Sequence, residues 1–321
     1  MKLLKSLFFI FLTFFVCNFV GAQSYPLKPV RVIVPFPTGG TTDLVTRIVA
    51  QQLSELWGQQ VIVENKIGAA GNVGAEAVAH ARADGYTLLL AGISFSVNPS
   101  LYKNMPYDVT KDFVPVTQVA MTPSVLVTHL SVPANSMKEF IAFAKTHPGE
   151  LNFGSAGSGG STHLGPALLE SMAGIKMTHI PYRGVAESYI DLIAGRVQLM
   201  IDSQPTAMPH IKAGKVRALA VTSLKRALAL PDLPTLSESG VSGYDMTGWY
   251  GAFAPAGIAP EIAKKLTTDF VSVIKKPSVS ASLMTQGAEP VASNAEQFSR
   301  FLQIELKKWA DVIKNTGIIA D

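Results

Sequence analysis

Short apolar runs alternate with helix-patterned segments along most of this chain, and that alternation limits its fold more than any other feature. Residues 30–34, 61–64, 86–91, 124–128, 151–155, 199–202 and 218–222 are apolar over strand length. Between them, Leu44, Ile48, Val49, Leu53 and Leu56 share one helical stripe, and Phe140, Ile141 and Ala144 share another that ends before His147-Pro148-Gly149. Parallel strands need crossover connections, usually helices, so the pattern predicts an α/β fold of mostly parallel sheets flanked by helices. Near the C-terminus only helices are expected. Ile262, Leu266, Phe270 and Ile274 are spaced by four, followed by Phe298, Leu302, Leu306, Trp309 and Ile313. These helices should cover a sheet formed earlier.

Two strand-to-helix junctions are rich in glycine. Residues 32–43 read VIVPFPTGGTTD, and residues 151–164 read LNFGSAGSGGSTHL. In the first, Gly39 and Gly40 can take positive φ, and Thr41, Thr42 and Asp43 offer oxygens to the unpaired amides of the coming helix. A helix start also presents free N–H groups and the positive end of its dipole, which suits a carboxylate or phosphate. Phe36, Pro37, Thr38, Gly39, Gly40, Thr41 and Asp43 are therefore candidate ligand contacts. A purely structural role for Asp43, as a first-turn acid paired with Arg47, fits the same spacing. The second junction repeats the logic with Ser155, Ala156, Gly157, Ser158, Ser161, Thr162 and His163, where Ser161 or Thr162 would cap the helix. Two such loops suggest two jaws of one cleft.

Spacing argues against several chemistries. The second loop lacks the lysine of a P-loop, and its glycines at 154, 157, 159 and 160 do not form G-x-G-x-x-G. Ser155, Ser158 and Ser161 each lack the two flanking glycines of a nucleophile elbow, although a triad from Ser161, His163 and Asp202 can be drawn. The six histidines show no ligand spacing such as H-x-x-x-H, so neither a metal nor another cofactor is expected. His179 and His210 read as packed or surface residues. Asp202 ends an apolar strand, where α/β sheets place ligand contacts. Arg183 and Gly184 follow another short strand and could meet an anion through the guanidinium or the backbone amide. Trp249 and Tyr250 read as packing where the chain crosses between domains.

Lys2 and Lys5 precede an apolar run over residues 7–16, and Val20-Gly21-Ala22 follows, the layout of a secretory signal cleaved after Ala22. The run is short of the about 20 apolar residues that a membrane span needs. Cys17 is the only cysteine, and Val16 before it is not the small residue of a lipoprotein signal. The expected mature chain has 299 residues, no cysteine, and 25 basic against 23 acidic side chains once Lys2 and Lys5 are removed. That excludes disulfides and thiol catalysis, while 48% apolar composition is ample for packed cores. The near-neutral charge has no Lys/Arg block of the kind that follows a phosphate backbone, so no nucleic acid partner is expected.

Further motifs carry a family resemblance. Tyr25-Pro26-x-Lys28-Pro29-Val30-Arg31 leads to Val34-Pro35-Phe36-Pro37-x-Gly39-Gly40-x-x-Asp43, then to Val63-Glu64-Asn65-Lys66-x-Gly68-Ala69-x-Gly71-Asn72-x-Gly74. Asp84-Gly85-Tyr86-Thr87, Leu101-Tyr102-Lys103, Pro106-Tyr107-Asp108, Pro181-Tyr182-Arg183-Gly184, Pro209-His210-Ile211-x-Ala213-Gly214-Lys215, Leu233-Pro234-Thr235 and Ala254-Pro255-Ala256-Gly257 follow in order. Over essentially the whole mature chain the sequence resembles the Bug or TctC-like extracytoplasmic solute receptors. The resemblance implies a two-domain, type II-like periplasmic binding protein with its cleft between the domains. It implies capture of a small carboxylate by main-chain amides and waters, delivery to a tripartite tricarboxylate transporter, and no catalysis. Carried over by position, the side-chain candidates are Thr38, Thr41, Asp43, Ser94, Ser155, Ser158, Ser161, Thr162, His163 and Asp202. Thr38 stands where the family more often has proline, and Gly165-Pro166-Ala167 replaces small residues followed by glutamate.

The expected organisation is a signal peptide over 1–22, a discontinuous first domain of 23–122 plus 252–321, and a second domain of 123–251. The expected protein is a periplasmic monomer. Two alternatives use the same residues: a ligand sensor for a membrane signalling partner, and a secreted serine hydrolase built on Ser155 or Ser161 with His163.

Overall fold

The computed structural model describes residues 25–157 and 159–318. The expected signal peptide and Ser158 lie outside these residues. Three parallel strands open the fold: β1 (Val30–Val34) lies between β2 (Val61–Asn65) and β3 (Thr87–Gly92). Their crossovers are α1 (Thr41–Trp57) and α2 (Asn72–Ala79), and α3 (Ser94–Leu101) follows β3. Val49 and Leu53 of the expected stripe are buried on α1 together with Val45, whereas Leu44 and Ile48 are half-buried and Leu56 is exposed, and Gly58 ends that helix in the left-handed region at φ 61°.

The next strand, β4 (Phe113–Thr128), holds the molecule together. Its residues 113–123 pair antiparallel with β9 (Thr247–Pro255), ending at Pro123 opposite Thr247. From Ser124 onward the same strand pairs antiparallel with β7 (Leu199–Ser203) and β8 (Arg217–Val221). On the first side β9 is also antiparallel to β3, and β10 (Glu289–Pro290) adds to β4. On the second side β5 (Asn152–Ser155) is parallel to β7 and to β6 (Thr178–Pro181), which forms the outer edge. The sheets are thus mixed. The βα units supply the expected parallel pairs, and β4 and β9 join them in the antiparallel sense.

Helices α4 (Met137–Thr146), α5 (Ser161–Ala173), α6 (Val185–Ile193) and α7 (Gln204–Lys212) belong to the second half of the fold. The late helices are α8 (Pro260–Ile274), α9 (Pro277–Thr285) and α10 (Ala295–Thr316), whose start is fixed by a reciprocal capping box between Asn294 and Gln297. Leu266 and Phe270 of α8 pack on the face carrying Val30, Leu88 and Ala252, as expected for helices covering an earlier sheet. Helix α10 is shared. Phe298 and Leu302 pack beside Ile33, Trp249 and Phe253, whereas Trp309, Val312 and Ile313 join the core of Phe153, Leu164 and Ile201.

Gly251 lies inside β9, a segment not among the apolar runs read as strands. A Cβ at this position would lie 2.0 Å from Cζ of Phe298, so the glycine in the strand marks close passage of α10. We expect Gly251→Ala to lower stability by about 1–3 kcal/mol through overpacking, read as a reduced midpoint in chemical denaturation. An unchanged midpoint would show that Phe298 moves aside freely.

Candidate functional site

The parallel strands β1, β3, β5 and β7 all end at one cavity of about 450 Å³. This is where open α/β sheets place their ligands. Phe36 and Thr42 come from the first glycine loop and α1, and Ala156, Gly159, Gly160 and Ser161 from the second loop and α5. Ile93, Ser94, Asn98, Leu101 and Tyr102 follow β3, while Thr122 and Ser124 flank the point where β4 changes partners. Ser203, Met246, Gly248, Trp249 and Tyr250 complete the wall.

Two of the helices that open on the cavity, α1 and α5, start with glycine as N-cap, and two more, α3 and α7, start there at Ile93 and Ser203. Gly40 before α1 has φ −71° and ψ 161°, and Gly160 before α5 has φ −77° and ψ 169°. Neither N-cap supplies a side-chain oxygen, so the first-turn amides of both helices lack the usual cap. The expected caps are used elsewhere. Thr162 Oγ1 accepts from the backbone N–H of Ala156 at 2.9 Å, and Ser161 is the first helical residue. Of the first glycine pair, only Gly39 takes positive φ.

Asp43 is a buried brace. Its carboxylate accepts from the amide of Gly39 at 2.9 Å, Nε of Arg47 at 2.9 Å and Nδ2 of Asn65 at 3.0 Å. Burial opposes its charge, but the bonds from Arg47, Gly39 and Asn65 outweigh burial and hold the carboxyl below its ordinary range. This matches the structural alternative for Asp43. Thr38, on the exposed outer side, donates to Oδ1 of Asn65 at 3.1 Å, and Pro37 and Gly39 are exposed beside it. Thr41 lies next to the buried Tyr250 hydroxyl, whose pKa is raised by burial against smaller lowering effects of Thr122 and Thr41.

The second loop is shaped by its own side chains. Ser155 is fully buried, and its hydroxyl meets Nε2 of His179 at 2.6 Å and accepts from the amide of Gly157 at 3.2 Å. The amide of Gly159 donates to Nδ1 of His163 at 3.0 Å. His163 stacks on His179 at 3.8 Å between centroids, and His179 stacks on Phe153 at 4.9 Å. The amides of Ala156, Gly157 and Gly159 are thus bonded within the loop and are not an open nest. The serine–histidine pairing is with His179 rather than His163, on a hydroxyl that no solvent reaches. Register explains it, because β6 sets His179 beside Phe153.

Ser94 lines the cavity as expected, whereas Asp202, Arg183 and Gly184 join Pro37, Thr38, Gly39, Asp43 and Ser155 among the candidates that do not line it. Asp202 is on the opposite face of β7 from Ser203, since strand side chains alternate. It is buried near Tyr189, and burial pushes its carboxyl up to about 6, against smaller lowering effects that include the Thr206 hydroxyl and the Ser203 amide. Arg183 is exposed and Gly184 caps α6, both after the edge strand β6. Asn98, Leu101, Thr122, Ser203 and Met246 were not foreseen. Only Ser203 had a readable signal, the alternation within its strand. A second groove of about 460 Å³ is lined by Lys28, Arg31, Lys66, Arg82 and Asp84. Three of its cations have nearby acids, since Arg31 and Lys66 pair with Glu64, and Lys28 with Asp84.

Residues 45–318 match the family model described as tripartite tricarboxylate transporter family receptor. The chain is 37% identical over 300 residues to Protein BugT of Bordetella pertussis, covering 93% of this chain and 92% of that one. Among solved structures it resembles Rpa4515 of R. palustris with adipate, with TM-score 0.78 and 37% identity over 92% of this chain and 99% of that one. MatC of Rhodopseudomonas palustris with bound malate is also similar, with TM-score 0.74 and 30% identity over 90% of this chain and all of that one.

Asp43 and Asp202, both buried, have opposite pH signatures. Asp43 has a depressed folded pKa, so its contribution is present above the unfolded value of about 4 and lost as pH falls through the folded one. Asp43→Asn should cost about 1–3 kcal/mol at pH 7, and the gap to the parent should close in acid. Asp202 has a raised folded pKa, so its ionisation weakens the fold as pH rises from about 4 to 6. Asp202→Asn should raise the melting temperature at pH 7.5, and the gain should vanish below about pH 4. Melting curves of both variants across pH 3–8 measure the two slopes.

Proposed function

We propose a function from one premise, that the chain belongs to the tripartite tricarboxylate transporter receptor family: it captures a small carboxylate in the cavity between its two glycine loops and hands it to that transporter's membrane subunits. Members of this family are periplasmic solute-binding receptors. The observation that carries the reading is the pair of helix starts, at Gly40 and Gly160, that open uncapped on one cavity. Aligned amides and the positive dipole end favour an anion there. Relatives holding adipate and malate support a carboxylate as that anion.

In this reading the ligand contacts are the first-turn amides of α1 and α5 with the hydroxyls of Thr42, Ser94 and Ser161. Asp43, Ser155, Thr162, His163 and His179 position the loops behind them. Charge-assisted hydrogen bonds contribute about 1.5–3 kcal/mol each. Three or four therefore support the roughly 8 kcal/mol of a micromolar complex.

In this reading the second lobe runs over 124–246, shorter than the expected 123–251 because β9 pairs with β3 and the first part of β4, and the strand crossings at Pro123 and Thr247 are the hinges. Closure is driven by contacts that the ligand makes only when both loops reach it. Helix α10 spans the lobes and limits the swing. The mature receptor starts at Gln23, after removal of residues 1–22, and acts as a monomer.

Valine suits the extended backbone of Gly40 and Gly160, and a Cβ there meets only Pro37 O at 3.4 Å or Gly157 O at 3.7 Å. Gly40→Val and Gly160→Val should therefore fold with near-parental melting temperatures while their methyl groups screen the helix amides. Calorimetry of the mature chain with a panel of mono-, di- and tricarboxylates should find a micromolar ligand whose affinity drops at least about tenfold, or 1.4 kcal/mol, in each variant. Parental affinity in both would sink the reading.

A further inference from the structure

The second groove lies on the first sheet, away from the ligand cavity, and its charges do not balance. Register sets its floor. Arg31 and Ile33 of β1 share one sheet face with Ile62 and Glu64 of β2, because these residues are parallel partners in register. Helix α2 packs Ala75 and Val78 against Ile33 and Leu89 on that face, toward β3. β2 lies on the other side, at the end of the strand order, and Ile62 on it stays exposed. Between helix and edge strand, Lys28, Arg31, Lys66 and Arg82 line a concave strip of about 460 Å³ together with Asp84 and Tyr86.

Four cations meet two carboxylates there. Glu64 is divided between Arg31, on Oε2, and Lys66, on Oε1. Asp84 lies 3.6 Å from the Lys28 ammonium, which also sits 4.2 Å over the Tyr86 ring, and its other oxygen accepts from the Tyr86 amide at 3.0 Å. The Arg82 guanidinium is exposed and has no ion pair or hydrogen bond among the described residues. The strip thus keeps an excess of two positive charges, as large as the excess of 25 basic over 23 acidic side chains in the whole expected mature chain. That excess sits at two points, on Arg82 and on the Arg31–Lys66 pair that shares one acid.

We infer that this groove docks an acidic segment of a partner protein, with one carboxylate on Arg82, a second between Arg31 and Lys66, and apolar neighbours resting on the exposed Ile62 and Leu27. Complementary charge of this kind steers association and fixes the register of the docked chain. The strip is concave and carries acids of its own, so it suits a chain with spaced carboxylates better than a flat, uniformly anionic lipid surface. The inference goes beyond the receptor reading and does not depend on it, since none of these four cations lines the ligand cavity.

A fluorescein-labelled peptide of alternating Glu and Ala, with its Gln counterpart as control, tests this by anisotropy on the mature protein. The Glu peptide should bind at least about tenfold more tightly than the Gln peptide, and more weakly as salt is raised. Arg82→Glu combined with Lys66→Gln should lower its affinity at least about tenfold at a near-parental melting temperature. Lys145→Glu combined with Lys138→Gln makes the same change of charge on exposed lysines of α4 and should leave the affinity as in the parent. Carboxylate titrations should be unchanged in both double variants. Equal losses in the two double variants, equal binding of the two peptides, or binding of neither overturns the inference and leaves the receptor reading standing. Phosphatidylglycerol vesicles that bind the parent and not the Arg82 and Lys66 variant also overturn it, by assigning the groove to a membrane surface.

Discussion

A single strand makes the cavity possible. β4 is long enough to serve two sheets, and it exchanges β9 for β7 and β8 between Pro123 and Ser124. Proline has no N–H to give to a ladder, so it is tolerated where pairing changes hands. The exchange sets the carboxyl ends of β1 and β3 opposite those of β5 and β7, with Thr122 and Ser124 on the floor between them. Each glycine loop alone is an ordinary strand-to-helix turn. They become two walls of one cavity because β4 holds both sheets in one register.

An anion site made of backbone amides has different requirements from one made of arginines. It needs helix starts that stay uncapped, and glycine at the N-cap achieves that while keeping an allowed extended backbone. It also needs loops that do not collapse onto those amides. The buried side chains do that work: Asp43 ties Gly39, Arg47 and Asn65 together, and Thr162 and His163 tie down Ala156 and Gly159. Polar residues near the cavity thus brace the loops that carry the open helix ends.

How far the sequence could be read depends on which force decides each element. β1 appears at the bounds its branched residues predict, and the stripes of α1, α8 and α10 bury their central members, such as Val49, Leu53, Leu266, Phe270, Phe298 and Trp309, although Leu56 at the end of α1 is exposed. These segments follow burial, which leaves a periodic trace. The first part of β4 carries Thr117, Gln118 and Thr122, and β9 carries Gly248, Gly251 and Pro255, so neither looks like a strand. Their pairing is decided by distant partners and by the passage of Phe298 across Gly251. At the cavity the two glycine loops were legible as a pair because their composition is unusual. The side-chain roles were less so. Cap preferences pointed to Thr41, Ser161 and Thr162, whereas glycine occupies both N-caps. The partner of Ser155 depended on a parallel register that places His179 beside Phe153.

Helix α10 adds a constraint that strand order alone does not give. Its first half is buried against Trp249 and Phe253 and its second half against Phe153 and Ile201, so relative movement of the two sheets must bend, slide or partly release it. Glu305 sits between these halves, buried, accepting from Nε1 of Trp309 at 3.0 Å and paired with Lys308. The Lys308 ammonium also donates to the carbonyl of Asp245 at 3.1 Å, just ahead of β9. A buried pair of this kind is costly to break, because removing one partner leaves an uncompensated charge. Rotation about the strand crossings is therefore expected to keep this cluster intact and take up its strain along the longer arm of the helix, toward Phe298. That places the compliant part of the molecule on the side of the Phe298–Gly251 contact, away from the loop braces at Asp43 and His163, which can stay rigid while the walls they carry approach each other.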